Sequence, residues 1–89
     1  MDEIIARDGD LVLKDYDNLD LDKQTDNRLY CIAYVDGEGN EIDLMLYWKR
    51  GKIIRGRSVN SPGAYGGTME FIAAFTRLCA KAQELLGDK

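Results

Sequence analysis

Eighty-nine residues, 45% hydrophobic and 31% charged, make a single domain with one modest core and exclude a disordered chain. No apolar run approaches the roughly 20 residues that span a bilayer, so a membrane helix is excluded too. The chain has no histidine, which removes the commonest general base and the commonest metal ligand together.

The net charge of −4 hides a division. Residues 1–47 hold 13 Asp and Glu against 4 Lys and Arg, a net of −9; residues 48–89 hold 3 against 8, a net of +5. The overall sign argues against a dedicated nucleic-acid binder, and the asymmetry predicts a domain with an acidic and a basic end. Cys31 and Cys79 each lie among apolar residues and read as buried free thiols. The first residues are acidic and lack the basic start and long apolar core of a signal peptide, so the expected location is cytoplasmic.

In chain order, residues 2–6 carry a weak signal for a helical turn or a first strand. Asp8-Gly9-Asp10 is a turn. A strand is expected over 10–16. Residues 17–27 read as a polar loop. Their aspartates invite comparison with a calcium loop, which needs Gly at position 6 and Glu at position 12. Counted from Asn18, those positions hold Lys23 and Leu29, and the pattern fails.

The centre of the chain is a β-meander with strands over 28–36, 41–50 and 52–59. The first is short, β-branched and aromatic, and a glycine-rich turn, Asp36 to Asn40, follows it. The second alternates: Ile42, Leu44, Leu46 and Trp48 fall on one face, Asp43, Met45, Tyr47 and Lys49 on the other. A two- or four-residue turn sets Val35 against Ile42, Ala33 against Leu44, Cys31 against Leu46 and Leu29 against Trp48, all on one apolar face. The turn at Arg50-Gly51 then pairs Trp48 with Ile53 and Tyr47 with Ile54.

Ser61 to Gly67 is a loop, with one proline and three glycines. Thr68 is a fitting N-cap. A helix follows over 68–86, its stripe formed by Phe71, Phe75, Leu78, Cys79, Ala82, Leu85 and Leu86. That stripe is expected to cover the Leu46 and Trp48 face of the sheet. The fold class is therefore α+β: an antiparallel three- to four-stranded meander packed on one face by a single C-terminal helix.

Three surfaces could carry function. The first is acidic: Asp15, Asp17, Asp20, Asp22, Glu38, Glu41 and Asp43. The second is the apolar face left by the helix: Tyr30, Ile32, Tyr34, Met45 and Tyr47, covered by the N-terminal segment, by a partner or by a second copy. The third is the basic turn: Lys49, Arg50, Lys52, Arg55 and Arg57, with Tyr47 and Trp48 beside it. The glycine loop before the helix lacks the Lys-Ser/Thr pair of a phosphate cradle and should lie at the acidic end. Ser58, Ser61 and Thr68 have no histidine to activate them, so no catalytic residue, metal or cofactor is assigned.

The leading expectation is a non-enzymatic protein-interaction module, an acidic inhibitor or adaptor that offers its negative charge to a protein partner. The alternatives are a nucleic-acid-binding domain using the basic turn and a homodimer built by sheet-face or edge pairing, in which the assembly carries the function; the basic residues also suit solubility and the protection of an exposed strand edge. No membrane partner is expected.

Overall fold

A computed structural model describes residues 3–15, 28–50 and 52–87, apart from the side chains of Glu3 and Arg50. Five strands are formed: β1 (Glu3–Asp8), β2 (Leu11–Asp15), β3 (Arg28–Val35), β4 (Glu41–Arg50) and β5 (Ile53–Ser58). They make one antiparallel sheet in the order of the chain, so β1 and β5 are its edges. A 3-10 turn at Pro62–Ala64 leads to α1 (Met69–Gly87).

The sheet has one strand more than the four expected. The added strand, β1, follows from the turn after it: Gly9 has φ of 64°, a left-handed conformation that glycine adopts without steric penalty. The chain thereby reverses between Asp8 and Leu11, which pair.

The β3–β4 register departs from expectation over the three pairs next to the turn. Leu29 faces Trp48 and Cys31 faces Leu46, as the sequence suggests. Beyond them, Ile32 pairs with Met45 but Ala33 pairs with Asp43, leaving Leu44 as the extra residue of a β-bulge. The cause lies at both ends of the segment. The turn uses five residues, because the Asp36 carboxylate accepts hydrogen bonds from the backbone N–H groups of Glu38 and Asn40, both at 2.9 Å, and from Asn40 Nδ2 at 3.2 Å. The displacement that this longer turn imposes is absorbed at Leu44. There the Leu44 carbonyl accepts from the N–H groups of Val59 (2.8 Å) and Asn60 (3.3 Å), and Asn60 Nδ2 donates to the Asp43 carbonyl at 2.7 Å.

The bulge brings Ile42 and Leu44 to the same side of the sheet as Met45 and Tyr47, the side that the helix covers. Up to Leu44 the even-numbered residues point to the helix; from Met45 onward the odd-numbered ones do. The core is accordingly built from Leu11, Leu13, Tyr30, Ile32, Leu44 and Tyr47 of the sheet against Ala74, Leu78, Ala82 and Leu86 of α1, with Phe71, Phe75, Cys79 and Leu85 at its margin. This corrects the expected face. Leu46 and Trp48 lie on the side away from the helix, where Val12, Cys31 and Ala33 are buried beside Val35 and Leu46. The physical reason is side-chain volume. The helix meets the sheet through two alanines as well as two leucines, and the tyrosines and leucines of one face fill that space better than the alanine, cysteine and valine of the other.

The β4–β5 hairpin is also displaced from expectation. Arg50 pairs with Ile53, Trp48 with Arg55 and Tyr47 with Gly56. A glycine opposite Tyr47 gives the ring its place: a Cβ at position 56 would lie 2.7 Å from Tyr47 Cε1.

The helix begins as its sequence suggests. Thr68 Oγ1 accepts the Phe71 N–H at 3.0 Å, and Glu70 stands in the first turn. Arg77 ties the exposed side of α1 to the sheet, its Nε and Nη2 donating to the two Asp8 carboxylate oxygens at 2.6 and 2.9 Å.

Candidate interaction surface

The meander places its two turns at opposite ends of the sheet. At one end lie the β1–β2 turn, the Asp36 to Asn40 turn and the glycine loop. Tyr65 of that loop sits with its ring 5.9 Å from Tyr34, and Phe71 is 5.8 Å from the same ring. At the other end lie Arg28, opposite Lys49, and the β4–β5 turn. The glycine loop is thus at the acidic end, as the sequence suggests. A recess of about 170 Å³ opens there, lined by Asp8, Asp10, Leu11, Thr68, Glu70 and Phe71. Three carboxylates make it a poor place for an anion.

The acidic candidates do not form one surface. Glu38 is exposed in its turn. Glu41 accepts a hydrogen bond from Lys14 Nζ at 2.5 Å, and Asp43 has interactions of its own. Lys14 is almost fully buried, on the face away from the helix. Burial opposes its charge, but the hydrogen bond to Glu41 and the fields of Glu41 and Asp43 outweigh it and hold the ammonium above its ordinary value. Asp15 pairs with Tyr30 at the basic end, where it adds to the field on Arg28. Asp17, Asp20 and Asp22 lie outside the described residues.

The apolar candidates are core. Tyr30, Ile32 and Tyr47 are buried under α1, and Tyr34 and Met45 pack at the edge of that core. They are not an open face, because the helix packs on them, and the bulge brings Ile42 and Leu44 to the same side. Tyr47 shows the consequence for chemistry: burial and the neighbouring Cys79 push its phenol up to about 12, while Gln83 Nε2 donates to its oxygen at 3.4 Å.

The basic candidates divide by face. Arg55 and Arg57 pair with Trp48 and Leu46 and share their side, away from the helix. Lys49 falls on the helix side and Lys52 in the turn; the side chain of Arg50 lies outside the described residues. Trp48 is half-buried, not enclosed beneath the helix.

The lysines and arginines of this segment read, from the sequence, as protection of an exposed strand; the exposed apolar residues among them were not read. Every residue of β5 is exposed, and Ile53, Ile54 and Val59 are 56, 42 and 45% exposed. Among the described residues, β5 pairs only with β4. The signal was present as Ile53-Ile54 followed by alternating arginines, a strand with apolar and basic residues and no proline.

Among the described residues no group of three or more His, Cys, Asp or Glu could hold a metal ion, and no helix is long and apolar enough to cross a membrane. The described residues define a class, an α+β domain in which they form a five-stranded antiparallel sheet with one C-terminal helix on one face and an exposed basic edge strand. No protein-family model, curated protein or solved structure matches the chain.

Proposed function

We propose that this chain is a non-enzymatic protein-interaction domain, and that it binds an extended segment of its partner along β5. The observation that carries this reading is the edge strand, six residues exposed throughout, with two isoleucines among them. In an antiparallel pair, every second residue exchanges both hydrogen bonds with its neighbour, so the intervening residues of β5 turn N–H and C=O outward. A polypeptide that arrives as a further strand satisfies those groups and covers the isoleucines. The acidic-inhibitor version has less support, since Asp15 stands apart from Glu38, Glu41 and Asp43, and Glu41 is already bonded to Lys14.

Selection of peptides from a random display library on the immobilised protein tests the reading. Selected peptides are expected to perturb the 15N–1H resonances of residues 53–58 and to slow exchange at alternate amides there. Peptides that bind elsewhere on the domain, or a library that yields none, would overturn it.

A further inference from the structure

Resting on that reading, we infer that the segment β5 accepts is acidic: an extended strand with carboxylates at alternate positions, opposite Arg55 and Arg57, and an apolar residue between them.

The side-chain arrangement of β5 carries the inference. Arg55 and Arg57 lie on one face about 6.8 Å apart, the span of two residues in a strand. An incoming strand presents its own side chains to that face with the same period. Carboxylates at two successive same-face positions stand opposite both guanidiniums. The residue between them falls on the helix side, beside Ile54 and Gly56, where an apolar side chain covers Ile54. Ile53, on the arginine face, adds apolar contact at one end.

The same two arginines disfavour the most symmetrical competitor. Antiparallel pairing of β5 with β5 of a second copy about Gly56 sets Arg55 against Arg57 twice, and like charges directly opposite destabilise a strand pair. That register is disfavoured, while the edge stays open to its electrostatic complement. Single-stranded nucleic acid fits less well. Stacking platforms take successive bases on successive rings, and among the described residues of this face only Trp48 is aromatic. A phosphate backbone also leaves the outward N–H and C=O groups of the edge without matched partners.

The test uses the whole chain, 15N-labelled, and three short end-capped peptides that alternate valine with aspartate, asparagine or lysine. The aspartate peptide is expected to protect alternate amides over 53–58 and to bind about tenfold more tightly than the asparagine peptide at low salt, the effect of two exposed ion pairs. Added salt should narrow that difference. The Arg55→Gln, Arg57→Gln variant should keep binding and lose the preference; the Arg55→Glu, Arg57→Glu variant should reverse it toward the lysine peptide. The same spectra report whether each variant is folded, and the milder glutamine pair suffices if the glutamate pair is not. Equal binding of the aspartate and asparagine peptides at β5 would overturn the acidic specificity and leave the edge reading standing. Absence of all three from β5 would overturn both. Tighter binding of an oligodeoxythymidine than of the aspartate peptide, at Trp48 and Arg55, would overturn the inference in favour of nucleic acid.

Discussion

Gly56 is the residue of β5 most constrained by what lies beneath it. Replacing it with alanine adds a Cβ that meets Tyr47 Cε1 at 2.7 Å, with Tyr47 Cδ1 and Met45 Cε at 3.0 Å. The Met45 methyl is the end of a flexible chain and can move. The Tyr47 ring cannot move freely, because it is 8% exposed, packs in the helix–sheet core and accepts a hydrogen bond from Gln83. Overpacking of this kind costs about 1–3 kcal/mol, against a gain of about 0.4–1 kcal/mol from the reduced freedom of the unfolded chain. The net expectation for Gly56→Ala is a loss of about 0.5–2 kcal/mol, read as a melting temperature lower by roughly 2–15 °C in a domain of this size. Chemical denaturation followed by circular dichroism measures it. In a Tyr47→Leu background the obstructing ring is gone and the Gly56→Ala penalty should largely vanish, giving a coupling energy in the double-mutant cycle. A Gly56→Ala protein as stable as the parent, or an equal loss in both backgrounds, would refute the argument.

Three further outcomes follow from individual contacts. Thr68→Ala removes the acceptor of the Phe71 N–H and should lower stability by about 1 kcal/mol, measured by urea unfolding. Tyr47 has its folded pKa raised from 10 to about 12, so its contribution is intact below pH 10 and is lost as pH rises toward 12; Tyr47→Phe should flatten alkaline unfolding, and ultraviolet titration of the folded parent should show a tyrosine step near pH 12 that the variant lacks. Asp8 is held below its ordinary 3.8 by the hydrogen bonds from Arg77, so that bridge contributes above pH 3.8 and is lost as pH falls through the lowered value. Arg77→Ala should therefore lower the urea midpoint at neutral pH, with the difference closing in acid.

The helix was legible because its apolar residues recur at helical spacing over four turns and because Thr68 and Gly87 mark its ends. The strands were legible except β1, whose Arg7 and Asp8 obscure the pattern and whose pairing depends on the Gly9 turn. The face beneath the helix was misread because β4 alternates without a break from Ile42 to Trp48. The information that interrupts it lies elsewhere, in the Asp36 side chain that lengthens the turn and in Asn60, 16 positions beyond Leu44 in the sequence. The alternation of β2 carried the right answer, since Leu11 and Leu13 are opposed to Val12 and Lys14. Of the candidate surface, Arg55 and Arg57 were legible as basic residues. The observed hairpin is displaced by two residues from the expected pairing, and a two-residue shift keeps the faces, so the separation of Arg55 and Arg57 from Lys49 follows from alternation alone.

Leu44 has a consequence for how the gene can change. Every cross-strand pair of β3 and β4, from Arg28–Lys49 to Val35–Glu41, omits it. Deleting that one codon would leave all of those pairs in place and straighten the strand, at the cost of one buried leucine. Deleting Met45 instead would let Leu44 take its place, since both face the helix, whereas deleting a residue farther along would exchange the faces of the residues between the cut and the bulge. The bulge at Leu44 and Met45 is therefore where lineages of this domain can differ in length by one residue and keep the same fold, and an aligned gap there would be the mark of a shared architecture.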